Sequence, residues 1–342
     1  MTTATMRASV LNGIGDLSVE ERPVPTPGSG EVLVRVGSVG VCGSDIHYYD
    51  HGRIGPYVVE RPLVLGHEAG GEVVRLGPDV TRLELGQRVS IEPGVPCRSC
   101  AQCLGGRYNL CPDVRFFATP PYDGAFCEYV VMPESFVHPV PDSVSDDAAG
   151  LIEPLSVGIW ACRRGQVAPG SRVLITGAGP IGLVCLQAAL AYGAADVVVS
   201  DVNAHRLALA TKLGATGVVD VSKVELPATA VEPDVLLECS GNGRATTDAV
   251  RTVARAGRVV LIGMGGDELT LPLSYVQDRE LVITGAFRYA NTWPTAISLV
   301  ASGRVNLDSL VTGHYGLDEV EKALTASRRD PSTIKPMVRP VL

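Results

Sequence analysis

At 342 residues, 46% apolar and 19% charged, the chain is long enough for about two globular domains with well-filled cores, which excludes a disordered polypeptide. A net charge of −8 argues against a generic nucleic-acid or anionic-membrane surface, while leaving room for a local basic pocket that holds a phosphate. The start, Met1 to Arg7, has no apolar core of signal-peptide length and nine cysteines fit a reducing compartment, so a cytoplasmic protein is expected.

The first part of the chain reads as short strands broken by turns. Glu31–Val36 alternates apolar and polar residues, Gly71–Leu76 and Arg88–Ile91 are β-rich, and Phe126–Val131 is a further candidate. Pro23, Pro25, Pro27, Gly28 and Gly30 mark a turn-rich connection. Within this region Cys42 and Gly66-His67-Glu68 are metal candidates: a thiolate, an imidazole and either a carboxylate or water can hold zinc and still leave a position for exchange. Alone, Cys42 reads as a core thiol and His67 as a buried imidazole. The Gly-His-Glu run, the nearby Ser44-Asp45 and a dinucleotide motif further on favour the metal. Zinc at such a site acidifies a bound hydroxyl or water. Ser44 could relay the proton, and Asp45 could orient His67 or simply cap a turn.

Cys97, Cys100, Cys103 and Cys111 then place four thiols within fifteen residues, whereas the other five cysteines stand singly. Two-residue gaps let the chain turn so that the sulfurs converge on one zinc ion. A disulfide pair is the competing reading, with no secretory signal to support it. A four-sulfur site has no vacant position, so this zinc braces a lobe and the chemistry lies elsewhere.

From Arg172 the rhythm changes. Arg172–Thr176, Asp196–Ser200, Gly217–Val219, Asp234–Glu238, Arg258–Ile262 and Glu280–Thr284 are six strand candidates, with helix-like Leu183–Tyr192, Ala204–Leu213 and Ala245–Ala254 between them. Gly193, Gly214 and Gly257 sit where helices should end. This alternation predicts an open parallel sheet with right-handed crossovers. The 23 uncharged residues between Arg172 and Asp196 could by length cross a bilayer, but the glycines and Pro180 in their midst indicate a buried strand followed by a packed helix. The remainder, with helix-like Leu317–Ala326, leaves the strand-helix rhythm.

Gly177-Ala-Gly-Pro-Ile-Gly182 follows one of those strands and opens a helix. Gly177 permits the turn, Gly179 admits a pyrophosphate, and Gly182 allows close packing; Pro180 and Ile181 lie in the same helix start, whose N–H groups favour phosphate. Asp201, nineteen residues after Gly182, is placed to receive ribose hydroxyls and favours NAD over NADP. Arg206 could accept a 2′-phosphate or stack on adenine. Gly263-Met264-Gly265 ends a later strand, where it lines a nicotinamide pocket or forms a plain turn.

Cys42-Gly-Ser-Asp-Ile-His47, Gly66-His-Glu-x2-Gly71-x5-Gly77, the cysteine lobe and the Gly177 motif together resemble the zinc-containing medium-chain dehydrogenases over essentially the whole chain. The narrower resemblance is to the sorbitol and xylitol dehydrogenases. It rests on His47-Tyr48, Gly52-Arg-Ile-Gly55, Ala118-Thr-Pro-Pro121, Leu151-Ile-Glu-Pro-Leu-Ser-Val-Gly158, Ala161-Cys-Arg-Arg164 and Phe287-Arg-Tyr289-x-Asn-Thr-Trp-Pro294. The resemblance implies an α/β protein: a GroES-like, β-rich catalytic domain over 1–155 with a structural-zinc lobe at 92–113, a Rossmann doubly wound parallel-sheet coenzyme domain over 156–287, and a segment 288–342 that completes the catalytic domain. It implies two zinc ions per chain, the catalytic one on Cys42, His67 and Glu68 with water, while Glu153 either ligates zinc or holds the water or substrate hydroxyl. It also implies a polyol site lined by Tyr48, Phe116, Thr119, Arg288 and Tyr289, with Phe287 and Arg288 beside the coenzyme.

The activity implied is reversible oxidation of a polyol's secondary hydroxyl to a ketose with NAD. A dehydrogenase of threonine or a short diol is the alternative, and a catalytically silent NAD-binding or structural homologue is disfavoured by the intact zinc ligands. Some animal-type sorbitol dehydrogenases lack the full cysteine lobe that many microbial polyol and threonine dehydrogenases keep, so the lobe does not choose the substrate. A homotetramer is implied by analogy, with no nucleic-acid or membrane partner.

Overall fold

The computed structural model describes residues 4–341. The chain divides into two compact units, one of Met1–Glu153, Trp293–Ala301 and Leu307–Leu342, the other of Pro154–Thr292 and Ser302–Asn306.

In the first unit a mixed sheet runs in the spatial order Val137–Pro139, Arg88–Ile91, Glu68–Leu76, Glu31–Gly40, Lys335–Val338 and Val311–Tyr315, with Tyr129–Pro133 also paired to Glu31–Gly40. Alternating apolar residues of these strands bury Val34, Val73, Val89, Ile91 and Met132. C-terminal residues Leu317, Val320, Leu324 and Val338 belong to the same core. A smaller sheet orders Asp16–Pro23, Thr5–Gly13 and Leu63–Val64. Asp16–Pro23 escapes the sequence reading because Asp16, Glu20, Glu21 and Arg22 obscure its alternation, and Thr5–Gly13 because Ala8–Leu11 are buried in succession instead of alternately.

Phe126–Val131 is only partly the expected strand, which spans Tyr129–Pro133. The preceding residues bond elsewhere: Ala125 N–H donates to the Gly66 carbonyl at 2.7 Å and Phe126 N–H to the Leu65 carbonyl at 2.9 Å. Leu317–Ala326 is broken into a 3₁₀ turn, Leu317–Glu319, and two short helices, Val320–Leu324 and Ala326–Arg329. At the break, the Thr325 hydroxyl donates to the Glu321 carbonyl at 2.8 Å.

Asp147 joins distant parts of this unit. Its carboxylate accepts from Ser38 at 2.6 Å and Arg339 at 2.9 Å, and meets His314 Nε2 at 2.6 Å. Burial would raise its pKa, but these bonds outweigh burial and hold it below the usual range. The resulting stability is present above the ordinary carboxyl pKa and is lost as pH falls through the lower folded value. Asp147→Asn is expected to cost about 2 kcal/mol at pH 7, with the gap closing below about pH 4. Urea unfolding at both pH values checks this, and equal midpoints at neutral pH would refute it.

The second unit holds a six-stranded, all-parallel sheet in the order Gly217–Asp220, Asp196–Asp201, Arg172–Thr176, Val235–Glu238, Arg258–Leu261, Val282–Gly285. Numbered along the chain this is 3-2-1-4-5-6, the doubly wound order, whose switch point lies at the end of Arg172–Thr176. The helix expected from Leu183 starts at Pro180, because proline suits the first helical position and Gly179 caps it. Residues 182–189 of that helix are buried, which explains the apolar run. No helix among the described residues is long and apolar enough to cross a membrane. The helix expected over Ala245–Ala254 spans Gly243–Val250, capped by Asn242, and the Thr252 hydroxyl donates to the Ala249 carbonyl beyond its end. Gly193 and Gly214 adopt the left-handed conformation after their helices; near Gly257 it is Ala256 that does so, with φ of 58°.

Candidate active site

Cys42 caps the helix Gly43–His51. Asp45, in the first turn, accepts the Cys42 N–H at 2.9 Å with one oxygen and the Gly66 N–H at 2.9 Å with the other. One buried carboxylate thus ties the segment bearing Cys42 to the one bearing His67 and Glu68. Gly66 has φ of +86°, and a Cβ there would lie 2.6 Å from the Phe126 ring, so the turn that delivers His67 requires glycine. Asp45 acts chiefly as this clasp, since His67 Nδ1 stands 3.9 Å from Oδ1, too far for a hydrogen bond. Burial raises its pKa against the opposing His67 charge and the two N–H bonds.

Donor atoms of Cys42, His67 and Glu68 all lie within 4.8 Å of one another. His67 is 7% exposed and Glu68 fully buried. Burial disfavours protonation of His67, yet Cys42, Asp45 and Glu153 prevail and raise the imidazole to about 10. The surroundings therefore favour positive charge at the centre of the cluster, and a thiolate–imidazole–carboxylate set suits a divalent metal such as zinc. Glu153 lies outside the set of mutually close donors. It sits buried in the helix Asp146–Gly165, immediately before Pro154, and its charge acts on both His67 and Lys335.

Of the other expected residues in this unit, Phe116 is buried with its ring 5.6 Å from His67. Thr119 follows in the same turn, its N–H donating to the Phe116 carbonyl at 3.1 Å. Ser44 and buried Tyr48 share the helix that Cys42 caps.

Sequence reasoning missed Lys335. Its ammonium donates to both Glu68 oxygens at 2.8 Å and to the Val41 carbonyl at 2.9 Å, while the residue is 2% exposed. Burial works against the charge, but Glu68, Cys42 and Glu153 outweigh it and raise the lysine's pKa. The available signal was a lone cation inside the otherwise uncharged run Ile334–Val338.

In the lobe, Cys97, Cys100, Cys103 and Cys111 bring their sulfurs within 4.8 Å of one another. The Cys97–Cys103 and Cys100–Cys103 separations are 3.9 and 3.5 Å. A tetrahedron with Zn–S bonds of about 2.3 Å has edges of about 3.8 Å. N–H groups of Ser99 and Cys100 point at Cys97 and lower its thiol to about 6, whereas desolvation and the neighbouring Cys100 push Cys103 up to about 12. Four thiols so close cannot all ionise unaided, and zinc offsets that repulsion.

In the second unit, a cavity of about 710 Å³ is lined by Gly177, Gly179, Asp201 and Arg206, among others. Gly177 has φ of +83°, and a Cβ on Gly182 would lie 1.8 Å from the Gly177 carbonyl oxygen. Over Gly179 the nearest atom to such a Cβ is 4.0 Å away, leaving room beside the helix that Pro180 and Ile181 begin. The Asp201 carboxylate accepts N–H groups of Ala178 at 2.6 Å and Asn203 at 2.8 Å, and each oxygen retains a lone pair for a ligand. Arg206 Nε is buried with no partner among the described residues. These features fit a dinucleotide. Gly263 and Gly265 press against the turn at Gly241, where Cβ atoms would come within 2.3 and 2.0 Å of its backbone; with exposed Met264 they lie outside the lining of that cavity. Arg288 stacks over the Phe287 ring at 4.8 Å and Tyr289 is buried, all three in this second unit.

Residues 28–142 match the alcohol dehydrogenase GroES-like domain and residues 180–302 the zinc-binding dehydrogenase domain. Human sorbitol dehydrogenase is 48% identical over 93% of this chain and 90% of its own length. The Bacillus subtilis sorbitol dehydrogenase is 44% identical over 93% and 92%. Among solved structures, a zinc-binding dehydrogenase from Sinorhizobium meliloti bound to NADP superposes with a TM-score of 0.91 at 30% identity, covering 98% of this chain and all of that one. The cluster around Cys42, the cysteine lobe and the 3-2-1-4-5-6 sheet thus occur together in a chain that belongs to the zinc-containing medium-chain dehydrogenases, in their sorbitol dehydrogenase subgroup.

Proposed function

We propose that this protein oxidises a secondary hydroxyl of a polyol of the sorbitol or xylitol type to a ketose, reversibly, with NAD⁺ and zinc. The observation that carries the reading is the convergence of Cys42, His67 and Glu68 in one buried cluster, in a chain 48% identical to a sorbitol dehydrogenase. Bound, zinc supplies Lewis acidity toward the substrate hydroxyl and NAD⁺ accepts the hydride. Cys42, His67 and Glu68 would hold the metal, while Glu153, outside the close donor set, accepts a hydrogen bond from the substrate hydroxyl or from water. Phe116 gives an apolar wall beside His67, and Tyr48 and Thr119 offer hydroxyls suited to a polyol. Ser44 Oγ, two residues after Cys42, passes the hydroxyl proton outward.

The coenzyme class is a nicotinamide dinucleotide, and the choice of NAD rests on Asp201, whose carboxylate repels a 2′-phosphate. A second zinc in the lobe, a homotetramer and a cytoplasmic location complete the reading. Initial rates with a panel of polyols, threonine and simple alcohols, each with NAD⁺ and NADP⁺, test it. Polyol oxidation with a clear preference for NAD⁺ is expected. Strong threonine turnover without polyol activity would overturn the substrate assignment.

A further inference from the structure

Glu68 reaches Lys335 by an unusual route. Glu68 pairs with Gly40 in the neighbouring strand, and on the far side of Gly40 the next strand begins with Lys335. The Glu68 carboxylate therefore crosses over the strand between them. Gly40 makes this possible, since a Cβ there would lie 2.0 Å from Glu68 Oε2. At the end of the crossing all three ammonium hydrogens have acceptors: Oε1, Oε2 and the Val41 carbonyl, one residue before Cys42. Both charges are withdrawn from water, with the lysine 2% and the glutamate 0% exposed.

Stability gives little reason for such a pair, because well-packed apolar side chains hold a strand crossing as firmly without the cost of burying two ions. Its placement gives a better one. Glu68 is the carboxylate among the close donors that also include Cys42 and His67, and its charge is already shared with an ammonium.

We propose that Lys335 is a positioning residue of the catalytic centre: reaching Glu68 across the bare backbone of Gly40, it holds both carboxylate oxygens and so limits how firmly Glu68 retains the metal. This rests on the reading of Cys42, His67 and Glu68 as the metal site. Lys335 keeps Glu68 in one orientation and subtracts from its attraction for a cation. A centre relieved of that competition binds zinc more tightly and leaves it less able to polarise a substrate.

The test is zinc release from the purified, zinc-loaded protein into a chromophoric chelator, measured for wild type, Lys335→Met, Lys335→Gln and Cys42→Ser, with kcat and both KM values determined alongside. For Lys335→Met, release of the more readily lost zinc is expected to slow about tenfold, because a positive charge beside the cation is removed, and kcat to fall about tenfold, with KM for NAD⁺ unchanged. Lys335→Gln retains a hydrogen-bond donor without the charge. It is expected to lie between wild type and Lys335→Met, and it carries the test if the methionine variant does not fold. Release at the wild-type rate, or faster, from a folded Lys335 variant overturns the proposal. If Cys42→Ser keeps the readily released zinc, the metal-site reading itself is wrong. If it loses that zinc while the Lys335 variants release theirs at the wild-type rate, only the role of Lys335 falls.

Discussion

Replacing Cys42 by serine is expected to lower kcat/KM for polyol oxidation by about a thousandfold or more, equivalent to about 4 kcal/mol of transition-state stabilisation. The thiolate is the soft donor of the proposed catalytic set, and a neutral hydroxyl supplies neither its charge nor its affinity for zinc. The fold should survive. Cys42 is half-buried at a helix start, and the contacts that shape this corner belong to Asp45, which receives the backbone N–H groups of residues 42 and 66 whichever side chain residue 42 carries. Metal analysis should show one zinc lost per chain with the lobe zinc retained, alongside a near-native circular dichroism spectrum. Full activity in Cys42→Ser would remove the proposed mechanism.

Substituting a lobe cysteine should have the opposite profile. For Cys103→Ala the expected outcome is a loss of at least ~3 kcal/mol in stability or a failure to assemble, because zinc-binding free energy in a closed four-sulfur site is folding free energy. The lobe's one α-helix, Ala101–Leu104, buries none of its residues and only Cys111 of the four cysteines is buried, so beside the zinc it is held chiefly by polar contacts such as Tyr108 to Glu92 at 2.6 Å and Arg98 to Ser135 at 2.7 Å. Once folded at low temperature, the variant should keep kcat/KM within a fewfold of wild type. Thermal unfolding with and without added zinc, paired with kinetics below the transition, separates the two effects. A stable and correctly assembled Cys103→Ala protein that lacked all catalysis would break this division between a bracing and a reacting metal.

The three sites differ in how much of their geometry the chain order reveals. The lobe is local: four thiols within fifteen residues converge through N–H groups of the same loop, so spacing alone was enough to propose it. The dinucleotide motif is also local, and the strand before it, the helix after it and the acid at the end of the next strand all follow at short range. The cluster around Cys42 draws on residues 25 and 26 positions further on, and only the preceding Gly66 and the nearby Asp45 hinted at the clasp. Elements were misjudged where local signals compete. Charged residues masked the strand Asp16–Pro23, and Thr325 interrupts a stretch that periodicity alone reads as continuous.

By itself the sequence determined the class of each part: a β-rich region, a strand-helix alternation, a closed set of thiols and a second, more open set of donors. Those depend on periodicity and on neighbours close along the chain, which amino-acid order records directly. Only the tertiary structure decided what surrounds Glu68. Lys335 lies 267 residues away and reaches Glu68 because the C-terminal strand lies beside Gly40, which lacks a side chain that would block the way. No local pattern encodes that encounter, since it exists only once three strands are in register and the water between the two charges has been excluded.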